Sequence, residues 1–279
     1  MAGQPSTGPL PTDRSTATRR SVLHAAGGTF GFLGGNALRS DDPADTGDCS
    51  ETTLEPNIVH FDDSISNVCT DDHPRTRALH TAVKESLTDR FPTVGSLIDA
   101  DFVPYFDFLT ANEATGWSHW LNPEFVGDDS VGDPARPASV LVDHQYWRPI
   151  GMMFVATRDG RRIDPPAVYS DEESGDACRP WHAHVGVPGL YSWMKYRTLS
   201  VEGIDEIPRE LPCRTPWMMH MWAYPHPESL YAHHAPPQDS RGGPPAEDPG
   251  FETDAVPGED KLGPEVLPDA FRARIKRLL

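Results

Sequence analysis

The run Met218-Met219-His220-Met221-Trp222 constrains the fold more than any other stretch of this chain. Five residues at strand length, apolar on both alternating faces, describe a strand covered on both sides. His220 at its centre is therefore expected to be buried, and a buried imidazole needs a partner. Other short apolar runs follow the same grammar, with turn residues between them. Val140 to His144, Ile150 to Arg158, Trp181 to Val187 and Pro216 to Tyr224 read as strands, and Asp159-Gly160 reads as a hairpin turn. Before them lies a helix at about 74–89, in which Leu79, Val83 and Leu87 recur every four residues. Asp72 is placed to cap it and Pro74 suits its first turn. A second short helix is expected within 96–109. Helices first, then strands without β-α-β alternation, predict an α+β fold. The expected core is a mainly antiparallel β-sheet, or a small β-sandwich or barrel, between disordered termini.

The 279 residues divide unevenly. Residues 1–40 read as an export signal and 41–57 as an acidic linker. Residues 58–235 hold the α+β domain. Residues 236–264, rich in Pro, Gly, Asp and Glu, read as a disordered tail. Residues 265–279 read as a basic helix capped by Asp269 and carrying Arg272, Arg274, Lys276 and Arg277, able to dock on its own domain or on a partner.

The signal rests on Thr18-Arg19-Arg20-Ser21-Val22-Leu23-His24 followed by an uncharged, Gly-rich run from Ala25 to Leu38. Paired arginines, an apolar residue two places on and a weakly hydrophobic run resemble a twin-arginine signal. The run is short of the ~20 residues that span a bilayer. The expected partner is the twin-arginine export machinery. The expected location is extracytoplasmic, secreted or cell-surface, with membrane contact only through an uncleaved signal.

Charge supplies the habitat. Lys+Arg number 24 against 42 Asp+Glu, for a net charge of −18. So acidic a body lacks the cations that nucleic-acid phosphates require, and no nucleic-acid partner is expected. The acids are mostly Asp and the bases are almost all Arg, with only 4 Lys. Short, strongly hydrated Asp with few long apolar lysine stems resembles proteins of extreme halophiles, whose self-repulsion is screened in concentrated salt.

Four cysteines in an exported chain favour disulfides. Three connectivities exist, of which Cys49–Cys69 with Cys178–Cys213 is the most local and is the expected one. Their spacing excludes a Cys-x-x-Cys zinc site.

Candidate chemistry lies in the 12 histidines. In a strand, His182 and His184 of Trp181-His182-Ala183-His184 share one face, as two ligands of one metal must. With His220, and with His119 from Gly116-Trp117-Ser118-His119-Trp120, they form a candidate set for Zn, Cu or Fe. The same residues read equally as core or half-exposed strand histidines. His226, His233 and His234 fall in a Pro-rich exit loop. A cupin also uses His-x-His on a strand, but the Glu and glycine framing it needs are missing here. No Gly-x-Ser-x-Gly and no phosphate-binding glycine loop is present outside the signal. A non-catalytic extracytoplasmic binding or envelope protein is the alternative reading.

Three stretches carry a resemblance. They are Gly116-Trp117-Ser118-His119-Trp120-Leu121-Asn122-Pro123, Pro137-Ala138-Ser139-Val140-Leu141-Val142-Asp143, and Met219-His220-Met221-Trp222 with His226-Pro227 and Leu230-Tyr231-Ala232. Together they resemble a group of uncharacterised exported prokaryotic proteins with related Gly-x-x-His and His-x-Trp motifs. Ser139 and His226 depart from that pattern. The resemblance implies export and a recurring His119 and His220, and no reaction.

Overall fold

The strands form where alternating burial demands them, and they assemble into one sheet. In the computed structural model, which describes residues 57–62, 69–105, 116–159, 161–170, 177–186 and 214–278, eleven strands are assigned. They are β1 (Asn57–His60), β2 (Val103–Pro104), β3 (Trp117–Leu121), β4 (Ser139–Asp143), β5 (Pro149–Val155), β6 (Thr157–Arg158), β7 (Arg161–Arg162), β8 (Tyr169–Ser170), β9 (Ala177–Cys178), β10 (His182–Val185) and β11 (Met218–Trp222). The α-helices are α1 (Pro74–Asp89), α2 (Val94–Asp99) and α3 (Asp269–Leu278). The fold is α+β, and mostly β.

Seven strands form a sheet in the order β1-β10-β11-β5-β4-β3-β2, with every neighbouring pair antiparallel. Two small hairpins, β6-β7 and β8-β9, stand outside it. Every residue of β4, β5 and β11 is buried. Apolar residues on both faces leave such strands no stable place except the middle of a covered sheet.

The two faces differ. Met219 and Met221 of β11 join Met152, Phe154, Val140 and Trp120 in the larger core, and α1 adds Val83 and Leu87 to it. On the opposite face Met218 and Trp222 pack with Trp117, Leu141, Met153 and Val155. The histidines stand on this second face. The sheet curls around it. β3 and β11 are separated by β5 and β4, which in a flat sheet would put them ~14 Å apart, yet side chains of the two strands touch. A register shift between Leu141 and Val142 assists the bend. So does Gly151, where a Cβ would meet the Met221 carbonyl oxygen at 2.9 Å and the Trp222 ring at 3.0 Å.

Several expectations are corrected. The cap of α1 is His73, whose Nδ1 accepts from the Arg75 N–H at 3.2 Å, and not Asp72. The second helix is Val94–Asp99, so it starts before the expected 96–109 range and ends early in it, where a cap and turn lead into β2. Residues 106–109 of that expectation lie outside the described residues, as do the signal, most of the acidic linker, Gly160 and Val187. Trp117–Leu121 is a strand as well, although its run of Trp, Ser and His carries no clear alternation of apolar and polar residues.

The disulfide is Cys69–Cys178, spanning 109 residues. This overturns the expected local pairing of Cys69 with Cys49 and of Cys178 with Cys213. Closeness in sequence is not what brought the thiols together. The segment before α1 lies on the β8-β9 hairpin, where His73 stacks on Tyr169 with ring centroids 3.5 Å apart and the Thr70 N–H donates to the Tyr169 hydroxyl at 2.8 Å. Cys49 and Cys213 lie outside the described residues. Among the described residues, no helix is long and apolar enough to cross a membrane.

Residues 236–264 were expected to be disordered, and they are packed. Leu262 is buried, and Phe251 stacks on Trp147. Backbone hydrogen bonds hold the arm to the 144–148 turn: Ala246 donates to Tyr146 at 2.9 Å, Gly258 to Gln145 at 2.8 Å and Leu262 to His144 at 2.8 Å. The Arg241 guanidinium meets the buried Asp143 carboxylate at 2.6 Å. Composition counts side chains, whereas this arm is secured largely through its backbone, which composition does not register. Beyond it α3 docks on its own domain, with Phe271 and Ile275 buried, Phe271 stacked on Trp120, and Arg274 paired to Asp101 at 2.7 Å.

Candidate metal centre

Period-2 alternation puts His182 and His184 of β10 on one face, with Ala183 and Val185 buried on the other. β10 runs beside β11, with His182 opposite Met218, so His182 and His220 become neighbours with ring centroids 5.0 Å apart. β1 runs along the other edge of β10 and sets His60 opposite His182, at 6.4 Å between rings.

His233 comes from a loop, and its delivery has a clear physical basis. After β11 the chain folds back over the strand. The Trp222 N–H donates to the Leu230 carbonyl at 2.9 Å, and the Trp222 indole N–H donates to the Ala232 carbonyl at 2.7 Å. Asp71 anchors the far side by accepting from the Leu230 N–H at 3.0 Å. The Tyr231 hydroxyl lies 3.0 Å from Thr76 Oγ1 on α1. The loop is thereby pinned over the three residues before His233, whose ring reaches to 4.8 Å from His182 and 5.3 Å from His184.

The candidate ligand nitrogens of His182, His184 and His233 all lie within 4.8 Å of one another. Three histidines so placed could hold a metal ion. His182 Nε2 and His233 Nδ1 are buried and have no hydrogen-bond partner. Unpaired buried nitrogens cost free energy unless something else occupies them.

His119 and His220 lie against this group. Their Nε2 atoms are 3.2 Å apart. His220 Nδ1 donates to the His233 carbonyl at 3.0 Å. Trp117 packs beside both rings, at 4.9 Å from His119 and 5.9 Å from His220.

Burial keeps these rings neutral. Desolvation first, then the imidazoles of His220, His233, His184 and His60, hold His182 well below the ordinary histidine value. Desolvation, then His119, His233 and His184, does the same for His220, against a smaller opposing contribution from the His233 carbonyl. His233 is lowered to about 3, again chiefly by burial and then by His184 and other rings. Neutral imidazole is the form that ligates.

Of the four histidines expected to share one metal site, only His182 and His184 fall in the ligand-spaced trio, while His119 and His220 pair with each other beside it. The structure adds His233, which the sequence offered only as one of a pair in a Pro-rich loop, and His60 at the edge. No spacing rule could have picked His233 over His234 or His226. The neighbouring pair Asp143-His144 serves elsewhere: Asp143 meets Arg241, and His144 Nε2 lies 2.7 Å from Ser118 Oγ. Compared with known proteins, the chain matches no family model, no curated protein and no solved structure.

Proposed function

We propose that this chain is an exported, halophilic protein that holds a transition metal on His182, His184 and His233. One observation carries the reading: His182, His184 and His233 each bring a ring nitrogen within 4.8 Å of the others, and His182 and His233 each have a buried ring nitrogen without a hydrogen-bond partner. An all-imidazole donor set suits Zn, Cu or Fe and is a poor match for Mg or Ca, which take oxygen ligands. The chain has 42 Asp+Glu, yet the 181–184 segment that supplies two of the three ligands contains no acid. In brine, a carboxylate site would be crowded by hard cations; imidazoles discriminate against them. The Arg19-Arg20 signal, the Asp-rich and Lys-poor composition and the resemblance to exported proteins support the habitat and location.

The test is elemental analysis of the full chain purified in high salt. At least one equivalent of Zn, Cu or Fe is expected, with one equivalent lost on His182→Ala. Below ~0.1 metal per chain, unchanged in that variant, the metal reading fails and a metal-free binding or envelope protein takes its place. For export, Arg19→Lys with Arg20→Lys is expected to retain the chain inside the cell; undiminished export refutes that part.

A further inference from the structure

We infer that the centre is dinuclear, with a second metal position between His119 and His220. This rests on reading the cluster as a metal centre, but on a different pair of atoms from the first position. The two Nε2 atoms are 3.2 Å apart. Two nitrogens bound to one ion at metal–nitrogen distances of about 2.0–2.1 Å and a tetrahedral angle are about 3.3 Å apart. The pair is already spaced as one edge of such a site.

The tautomer of His220 agrees. A carbonyl only accepts, so the 3.0 Å contact from Nδ1 to the His233 carbonyl places the ring proton on Nδ1. In the neutral ring the lone pair is then on Nε2, aimed at His119. Metal-bound imidazoles characteristically donate their other N–H in this way, which fixes the ring. In the metal-free protein the His119 N–H fills the gap as a hydrogen bond. For an ion to replace it, His119 shifts its ring proton from Nε2 to Nδ1 and both rings turn slightly to aim their lone pairs at the ion, with the N···N spacing kept.

The positions adjoin. His220 and His233 stack with centroids 5.5 Å apart, and the hydrogen bond just described runs from a ligand of the second position to the backbone of a ligand of the first. The elements have independent origins: β3 and β11 supply the second pair, while β10 and the loop after β11 supply the first three ligands. Two protein ligands leave the second ion open to water or to a small exogenous ligand. Trp117 and Trp222 close the apolar side of the His220 ring, at 5.9 and 5.5 Å.

The experiment is a zinc titration of the metal-stripped full chain in high salt, read by equilibrium dialysis with elemental analysis. Wild type is expected to bind two equivalents, His119→Ala one and His184→Ala one. Circular dichroism confirms that each variant is folded. Co(II) provides a second readout, because quenching of tryptophan fluorescence by the second equivalent should vanish in His119→Ala. One equivalent in wild type, retained by His119→Ala and lost in His184→Ala, overturns the second position and leaves the first standing. Two equivalents that persist in His119→Ala also overturn it. No binding in wild type overturns both readings. The wild-type stoichiometry needs no variant, so a failure of His119→Ala to fold does not shield the proposal.

Discussion

Acid should unfold the metal-free protein through its histidines, above the pH range in which carboxylates titrate. The perturbation is removal of metal with a chelator, followed by a step from pH 7 to pH 5 in constant high salt. His182 and His220 are held well below the ordinary histidine value and His233 is lowered to about 3. In the unfolded chain the same rings titrate near 6.5. Below that value the unfolded chain takes up protons that the folded chain refuses. The contribution to stability is thus complete above about pH 6.5 and is lost as the pH falls towards the lowered native values. Each ring loses about 2 kcal/mol between pH 7 and pH 5, so the two fully buried rings account for about 4 kcal/mol and all three for about 6 kcal/mol. A domain of ordinary stability, about 5–15 kcal/mol, would be brought close to unfolding. Urea denaturation followed by tryptophan fluorescence measures the loss without altering ionic strength. His182→Gln should reduce the difference between the two pH values by about a third, whatever it does to stability at pH 7. A total loss below about 2 kcal/mol, the worth of a single ring, would refute the claim that the cluster is buried and neutral.

Arg241→Met should cost about 3–5 kcal/mol, because it leaves the fully buried Asp143 charge without its guanidinium, held only by the Tyr146 N–H and the Gln238 amide. Asp143→Asn in the same chain should recover part of that, and a loss under about 1 kcal/mol would show that the C-terminal arm is not anchored there. Peptide mapping without reduction should find Cys69 joined to Cys178. Replacing both by Ser should cost about 4–5 kcal/mol, as expected for closing a loop of this length; a Cys49–Cys69 peptide would contradict the fold around β9. Dialysis from concentrated to dilute salt should unfold the protein, as unscreened repulsion among its excess acids grows, and a circular dichroism spectrum unchanged in dilute buffer would count against halophily.

Much of the sheet was legible because strand signals are local. Met218–Trp222 shows apolar residues on both faces, and it lies near the middle of the seven-stranded sheet. Trp181-His182-Ala183-His184 shows the alternation that sends both imidazoles one way. The helix of 74–89 shows its four-residue spacing and its proline start. Residues 236–264 misled, since a Pro- and acid-rich segment held by backbone hydrogen bonds looks the same in composition as one that is not held at all.

The sequence by itself determined which residues of a strand share a face, which strand is buried, and that His182 and His184 point together. These follow from a period of two residues and need no knowledge of the rest of the chain. Only the tertiary structure decided that His233 joins them, that His119 reaches His220 over two intervening strands, and that Cys69 meets Cys178. Each of those contacts depends on how far the sheet curls and where a loop returns. Curl and return are sums of many small packing choices over the whole domain, and no short-range spacing records the total.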